Sequence, residues 1–158
     1  MPDEELLRFH NEQTRELTGC LLGRGLYEDM LGWETAEQTR TDPAELEFAR
    51  IWNPIPKTVF STTLSTVEGH ARLARGTVED EAAELKAGPG DGVVSVGGAG
   101  LAAAFAERDL IDEYRLFLNP VVLSGGTRFF PPLTNRLDLE LIETRTFSPV
   151  SYLRYRRR

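Results

Sequence analysis

Three short segments of the chain carry residues that can hold an anion: Gly23-Arg24, Ser61-Thr62-Thr63 and Gly97-Gly98-Ala99-Gly100. Each closes a short apolar run, "CLLG", "KTVFS" or "VVSV", and usually leads into a helical stretch. Glycine lets a phosphate approach the backbone closely. Hydroxyls and a guanidinium supply further donors. Helix N-termini present free N–H groups and the positive end of the helix dipole. One such turn is more often only a turn; three on successive strands point to one phosphate-bearing ligand. The glycine string is not a Rossmann fingerprint, because "GGAGLA" lacks the G-x-G-x-x-G spacing and no acid ends a following strand at the expected distance. It is not a P-loop, because no Gly-Lys-Ser/Thr occurs.

The elements that must position these turns follow from periodicity. A helix is expected over Asp3 to Glu16, with Leu6, Leu7, Phe9 and Leu17 on one apolar face and Pro2-Asp3 as its start. "CLLG" is a strand buried on both faces, and "RGLYEDMLGW" begins a helix. A third helix runs from Ala44 to Trp52 and stops at Asn53-Pro54. "KTVFS" and "VVSV" are further buried strands, and "ARLAR" suits a short one. Helices are expected over Glu79 to Lys86, ended by "AGPGDG", and over Leu101 to Arg108. "EYRLFLNPVVL" reads as one long strand closed by Ser124-Gly125-Gly126. The last 22 residues alternate on both sides of Ser148-Pro149, as an antiparallel hairpin does. The expected fold is α/β in one domain over 1–158: a mostly parallel sheet covered by helices, with the hairpin added at one edge.

Bulk properties narrow the function. With 158 residues, 41% hydrophobic and 27% charged, the chain has the composition of one globular domain. A net charge of −7 disfavours nucleic acid, and the basic tail Arg154, Arg156, Arg157 and Arg158 suits a solvated final strand. Cys20, the single cysteine, lies in an apolar run as a small buried hydrophobe; with two distant histidines it cannot make a zinc cluster. The N-terminus lacks the pattern of a signal peptide, and no apolar run is long enough for a membrane span, so the cytoplasm is the expected compartment.

The segments also resemble a known family. "LLGRGLYEDM" resembles the strand-Gly-Arg-x-Thr-Tyr/Trp-Glu segment of dihydrofolate reductases and their relatives. "PKTVFSTTL" resembles their "pKxVxSxTL" strand and turn. The stretch from "VVSVGGAG" through "LIDEYRLFLNPVVLSGG" resembles their Gly-Gly turn, helix, Asp-Glu-Tyr and Pro-Val-x-Leu-Gly-Gly segments. The chain is thus similar to the dihydrofolate-reductase-like superfamily, and within it to the riboflavin-biosynthesis reductase domain and the small stand-alone proteins related to it.

That resemblance implies a three-layer α/β fold and an NADPH-dependent reductase of a small pterin-like, heteroaromatic or carbonyl substrate. It implies Gly23 and Arg24 at the adenosine phosphate or pyrophosphate. It implies Ser61, Thr62 and Thr63 at the 2′-phosphate, which favours NADPH over NADH. It implies Gly97, Gly98, Ala99 and Gly100 beside the pyrophosphate and the nicotinamide ribose, with no metal, and a homodimer formed through the C-terminal sheet region.

Three positions depart from the family pattern. Leu26 stands where a Thr is usual, which removes one hydroxyl. Val96 stands where riboflavin-type reductases carry Glu, which argues against that pathway. Relatives begin with a central strand bearing a Ser-x-Asp-Gly-like segment, whereas this chain begins at the helix. The resemblance places that strand between those of "CLLG" and "VVSV", so a slot is expected there, filled by residues upstream of Met1 or by a neighbouring chain.

Reduction of a C=N bond also needs a proton donor. "EELLRFH" gives Glu5 the family's spacing to Leu6 and Phe9, with Glu4 second; the competing reading is a solvated acid at a helix start. Glu28 and Asp29 read as surface or capping acids, and His10 and His70 as surface or satisfied residues. Asp112 and Glu113 are adjacent in a strand pattern, so they face opposite ways and read as a cap rather than a catalytic pair. Two other function classes remain open: a nucleotide-binding protein without turnover, and a structural module.

Overall fold

The protein is described here from a computed structural model, which covers residues 4–88 and 90–158. α1 (Glu4–Arg15) opens the chain and buries Leu6 and Phe9; Pro2 and Asp3 of its expected start signal lie outside the described residues. β1 (Leu17–Gly23) buries the consecutive residues Cys20, Leu21 and Leu22, as a strand covered on both faces must. α2 (Arg24–Met30) follows Gly23 at once and passes through a 3₁₀ turn (Leu31–Thr35) into the short α3 (Ala36–Thr39). α4 (Pro43–Trp52) starts where Asp42 accepts hydrogen bonds from the N–H groups of Ala44 and Glu45, with Pro43 at the first helical position. β2 (Lys57–Phe60) and β3 (Ala71–Leu73) flank the loop that carries the Ser-Thr-Thr turn. α5 (Val78–Ala87) starts at a reciprocal capping box between Thr77 and Asp80. β4 (Val93–Gly97), α6 (Ala99–Glu107), β5 (Glu113–Leu118), β6 (Leu139–Phe147) and β7 (Val150–Arg157) complete the order.

The strands form two sheets among the described residues. β3-β2-β1-β4 is parallel throughout, and β5-β7-β6 is antiparallel. Around the first sheet, one core joins Cys20, Leu22, Tyr27, Trp52, Ile55 and Val59, and a second joins Leu21, Ala82 and Phe105. A third core belongs to the second sheet, where Leu6 and Phe9 of α1 meet Phe147, Val150 and Tyr152.

Three expectations are corrected. No slot separates the "CLLG" and "VVSV" strands. β1 and β4 are direct parallel neighbours, with Cys20 opposite Ser95, Leu21 opposite Val96 and Leu22 opposite Gly97. β1 spends its backbone groups on β2 and β4, and the discontinuity falls between β4 and β5, each the edge of its own sheet. The terminal hairpin does not extend the parallel sheet, because β5 pairs with β7 along its whole length, from Glu113–Arg156 to Leu118–Ser151. Finally, the long strand stops at Leu118. Asn119-Pro120 ends it, since proline has no N–H for the ladder and restricts the residue before it. Val121 to Leu123 are then exposed rather than paired.

Candidate functional site

Registry brings the three turns to one edge. Gly23, the last residue of β1, lies opposite Phe60, so Ser61 leaves β2 beside Arg24. Leu22 lies opposite Gly97, so the Gly-Gly turn leaves β4 on the other side. These are the carboxyl ends of adjacent parallel strands, where open α/β sheets hold ligands.

The side chains join across that edge. Arg24 donates from Nη1 to Thr63 Oγ1, 39 residues away, and from Nε to Glu28 Oε1 at 2.8 Å. Thr63 Oγ1 lies 3.2 Å from Ser61 Oγ. Ser61 Oγ in turn accepts the N–H groups of Thr63 at 3.2 Å and Leu64 at 3.1 Å, which folds the turn back on itself. Thr62 is exposed beside them. The Tyr27 hydroxyl accepts the N–H of Glu68 at 2.8 Å, so α2 is fastened to the far end of the same loop.

The glycines differ in what they do. Gly98 has φ +94°, and a Cβ there would come within 3.4 Å of the Gly23 nitrogen. Its glycine is favoured by the backbone conformation, and the two turns lie side by side there. A Cβ on Gly97 would strike Leu26 Cδ2. Leu26, in place of the usual hydroxyl residue, therefore fills the space that Gly97 leaves. Gly100 faces open space. Gly98 also begins α6 without a side-chain cap, which leaves N–H groups of the first turn available beside the exposed Ala99 and Gly100. One guanidinium, three hydroxyls and these amides form a donor set suited to phosphate groups.

Other candidates lie elsewhere. Glu5 is exposed on the first turn of α1, the helix that covers the antiparallel sheet. His10 stacks on Phe117 with ring centroids 4.3 Å apart, and burial holds its pKa below the usual value. His70 contributes its carbonyl to the Lys57 N–H. Cys20 is 1% exposed, and burial pushes its thiol pKa up. Asp112 and Glu113 are structural, but as ion pairs rather than a cap: Glu113 binds Arg154 at 2.8 Å and Arg115 at 3.1 Å, and Asp112 meets Arg157 at 3.4 Å. These contacts also account for two arginines of the basic tail.

Sequence reasoning missed Lys57. Its Nζ is buried and donates to the carbonyls of Trp52, Asn53 and Ile55 at 2.9, 3.3 and 2.8 Å, above the Trp52 ring. Burial lowers its pKa. It satisfies the end of α4 and fixes the start of β2, the strand that delivers Ser61. A lysine opening a buried strand directly after a helix and two prolines was the available signal. The Arg24–Glu28 pair was visible only as an i,i+4 spacing.

The fold is that of an α/β domain of the dihydrofolate-reductase-like class. The chain belongs to the RibD C-terminal domain family, whose model matches residues 1–153. It is 35% identical over 108 residues to YyaP, an uncharacterized protein of Bacillus subtilis (strain 168), covering 68% of this chain and 57% of the relative. It is 39% identical over 73 residues to YwjB of the same organism, also uncharacterized, covering 46% of this chain and 42% of the relative. The chain thus spans about half the length of these relatives. Among solved structures it is similar to a protein of Shewanella sp. PV-4 assigned provisionally to riboflavin biosynthesis, with TM-score 0.73 and 23% identity over 93% of this chain and 77% of that one. It is also similar to dihydrofolate reductase from Enterococcus faecalis, solved with NADP(H) and RAB-propyl, with TM-score 0.61 and 18% identity over 99% of this chain and 84% of that one. At these identities the likeness establishes the fold. No described helix is long and apolar enough to cross a membrane.

Proposed function

We propose that this protein is a cytoplasmic NADPH-dependent reductase that transfers hydride to a small pterin-like, heteroaromatic or carbonyl substrate. The observation that carries this reading is the convergence of three donor-bearing turns on one sheet edge, joined through Arg24, Thr63 and Ser61 and through the contact of Gly98 with Gly23. Arg24 and the hydroxyls of Ser61, Thr62 and Thr63 would hold the adenosine 2′-phosphate. The backbone from Gly97 to Gly100 would lie along the pyrophosphate. The bound nicotinamide would supply the hydride. The family match and the fold shared with an NADP(H)-bound reductase support the same assignment.

The test is a fluorescence titration through Trp33 and Trp52. NADPH should bind more tightly than NADH, and Arg24→Ala should narrow the difference by about 1–3 kcal/mol, the scale of a charge-assisted hydrogen bond. Equal affinities in the parent protein would refute the reading. A second reading, nucleotide binding without turnover, gains weight from the position of Glu5, exposed on a helix that buries Leu6 and Phe9 against the other sheet. NADPH oxidation across a substrate panel separates the two readings, and Glu5→Gln tests the proton donor.

The homodimer belongs to the same proposal. Registry places Tyr114, Leu116, Leu118, Leu141, Leu153 and Tyr155, with Thr144, Thr146 and Ser151, on one face of the antiparallel sheet, where Arg157 stands at the far end of β7 opposite Leu139. Leu118 and Leu141 are each 50% exposed, and the adjoining Val121, Val122 and Leu123 more so. An apolar patch of this kind suits a symmetric interface, since an apolar surface meets its own copy without repulsion. Light scattering at micromolar concentration should give twice the chain mass, and Leu141→Glu should halve it.

A further inference from the structure

In the reading above, Arg24 is the cation of the site, yet this cation is already held by an acid. Its Nε–H donates to Glu28 Oε1 at 2.8 Å, one helical turn on, while Nη1 donates to Thr63. The two charged side chains are similarly open to solvent, 46% and 48% exposed. The result is a chain of hydrogen bonds running from carboxylate to guanidinium to hydroxyl to hydroxyl to backbone amide. Its ionic end carries no net charge. Lys57, the cation of β2, sits at the opposite end of that strand with its amino group on backbone carbonyls, and Arg75, just past β3, is exposed at the same edge of the sheet as Arg24. Further acids, Asp29 and Glu68, lie on the same helix and loop. A dianionic phosphate approaching Arg24 therefore meets a guanidinium whose charge is already offset.

Resting on the assignment of the 2′-phosphate to Arg24 and Ser61–Thr63, we infer that Glu28 is a specificity-determining residue. Its carboxylate orients Arg24 and at the same time weakens the site's preference for a 2′-phosphorylated adenosine over an unphosphorylated one. Two functions are combined in one side chain, and they can be separated. Glutamine keeps an oxygen acceptor for the Arg24 Nε–H and removes the charge. A carboxylate about 6 Å from a phosphate dianion at a solvated surface costs the complex several-fold in affinity at low salt, and less as salt screens it.

The experiment compares adenosine 2′,5′-bisphosphate with adenosine 5′-monophosphate as probes, titrated into the parent protein, Glu28→Gln and Arg24→Ala. Glu28→Gln should bind the bisphosphate roughly three- to tenfold more tightly and the monophosphate unchanged, with the gain shrinking as salt rises through the range where the Debye length falls to about 3 Å. A merely structural Glu28 would move both probes together or neither. If Arg24→Ala weakens the bisphosphate while Glu28→Gln leaves it unchanged or weaker, the role given to Glu28 is wrong and the site assignment stands. If the parent protein does not discriminate between the probes and Arg24→Ala changes nothing, the assignment fails and the inference with it.

Discussion

The two sheets solve different problems. The parallel sheet has short strands of three to five residues around a seven-residue β1, and it buries β1 and β2 by helices and loops. Its strand ends are left to turns, and those turns gather the donors. The antiparallel sheet has longer strands, β6 and β7, of nine and eight residues, and sorts its faces by register. One face carries Phe117, Tyr152 and Phe147 under Phe9 of α1, then Glu113, Arg115, Arg154 and Glu143 in a network of ion pairs. The other face is mostly apolar and half-covered, with Arg157 at its end. The proposed site thus lies on the sheet whose strands stop early, and the proposed interface on the sheet whose strands run long.

The sharpest way to break this division is Tyr152→Ala. Tyr152 is fully buried, touches Phe9 and Phe117, and accepts a hydrogen bond from Gln13 at 2.8 Å. Its loss should cost about 3–5 kcal/mol in a urea titration. Cofactor affinity of the folded protein should be unchanged. A tenfold loss of affinity would show that the two sheets act as one unit.

Within the parallel half, Glu81 holds α5 to β3. Its carboxylate is buried, binds Arg72 through both oxygens at 2.8 and 3.2 Å, and accepts the Arg75 N–H at 2.9 Å. The Arg72 guanidinium holds its pKa below the usual carboxylate value. Glu81→Gln should cost about 1–3 kcal/mol near neutrality. Because the folded-state pKa is depressed, the carboxylate's contribution is complete above the unfolded value of about 4.3 and is lost as pH falls through the lower folded value. The stability gap between parent and variant should therefore close on acidification. A gap independent of pH would mean that packing, not charge, is what Glu81 supplies.

Gly100→Ala tests the site with the least damage to the fold. A Cβ at Gly100 meets nothing, and alanine suits the first turn of α6. Stability should hold or rise by about 0.5 kcal/mol, while NADPH affinity drops about tenfold, or about 1.4 kcal/mol, by calorimetry. Unaltered affinity would place the cofactor away from α6. Gly98→Val is less informative, since the positive φ strains any side chain there. The smallest effect concerns sheet edges. All five residues of β4 are half-buried, and among the described residues β4 pairs only with β1. Its amides should exchange with solvent faster than those of Cys20 to Leu22, which lie between two strands. Equal protection would mean that the edge is covered.

Local chemistry in the sequence was enough to indicate most of the elements and the residues proposed as donors. Apolar runs, capping residues and turn residues set where strands and helices begin and end, and Asp42, Thr77 and Ser61 act where their types and neighbours say they should. Gly23-Arg24, Ser61-Thr62-Thr63 and the glycine turn were legible because each ends a buried strand. Strand neighbours were not legible, because alternation fixes a residue's face and says nothing about which backbone lies beside it. That is why β4 was expected across a slot from β1, and why the hairpin was expected on the parallel sheet instead of beside β5. Partners distant in sequence were hidden for the same reason: Arg24 with Thr63, Lys57 with the end of α4, and Leu26 with the space left by Gly97. Each depends on register between segments brought together only when the chain folds, and register is decided by packing of the whole core rather than by any one segment's residues.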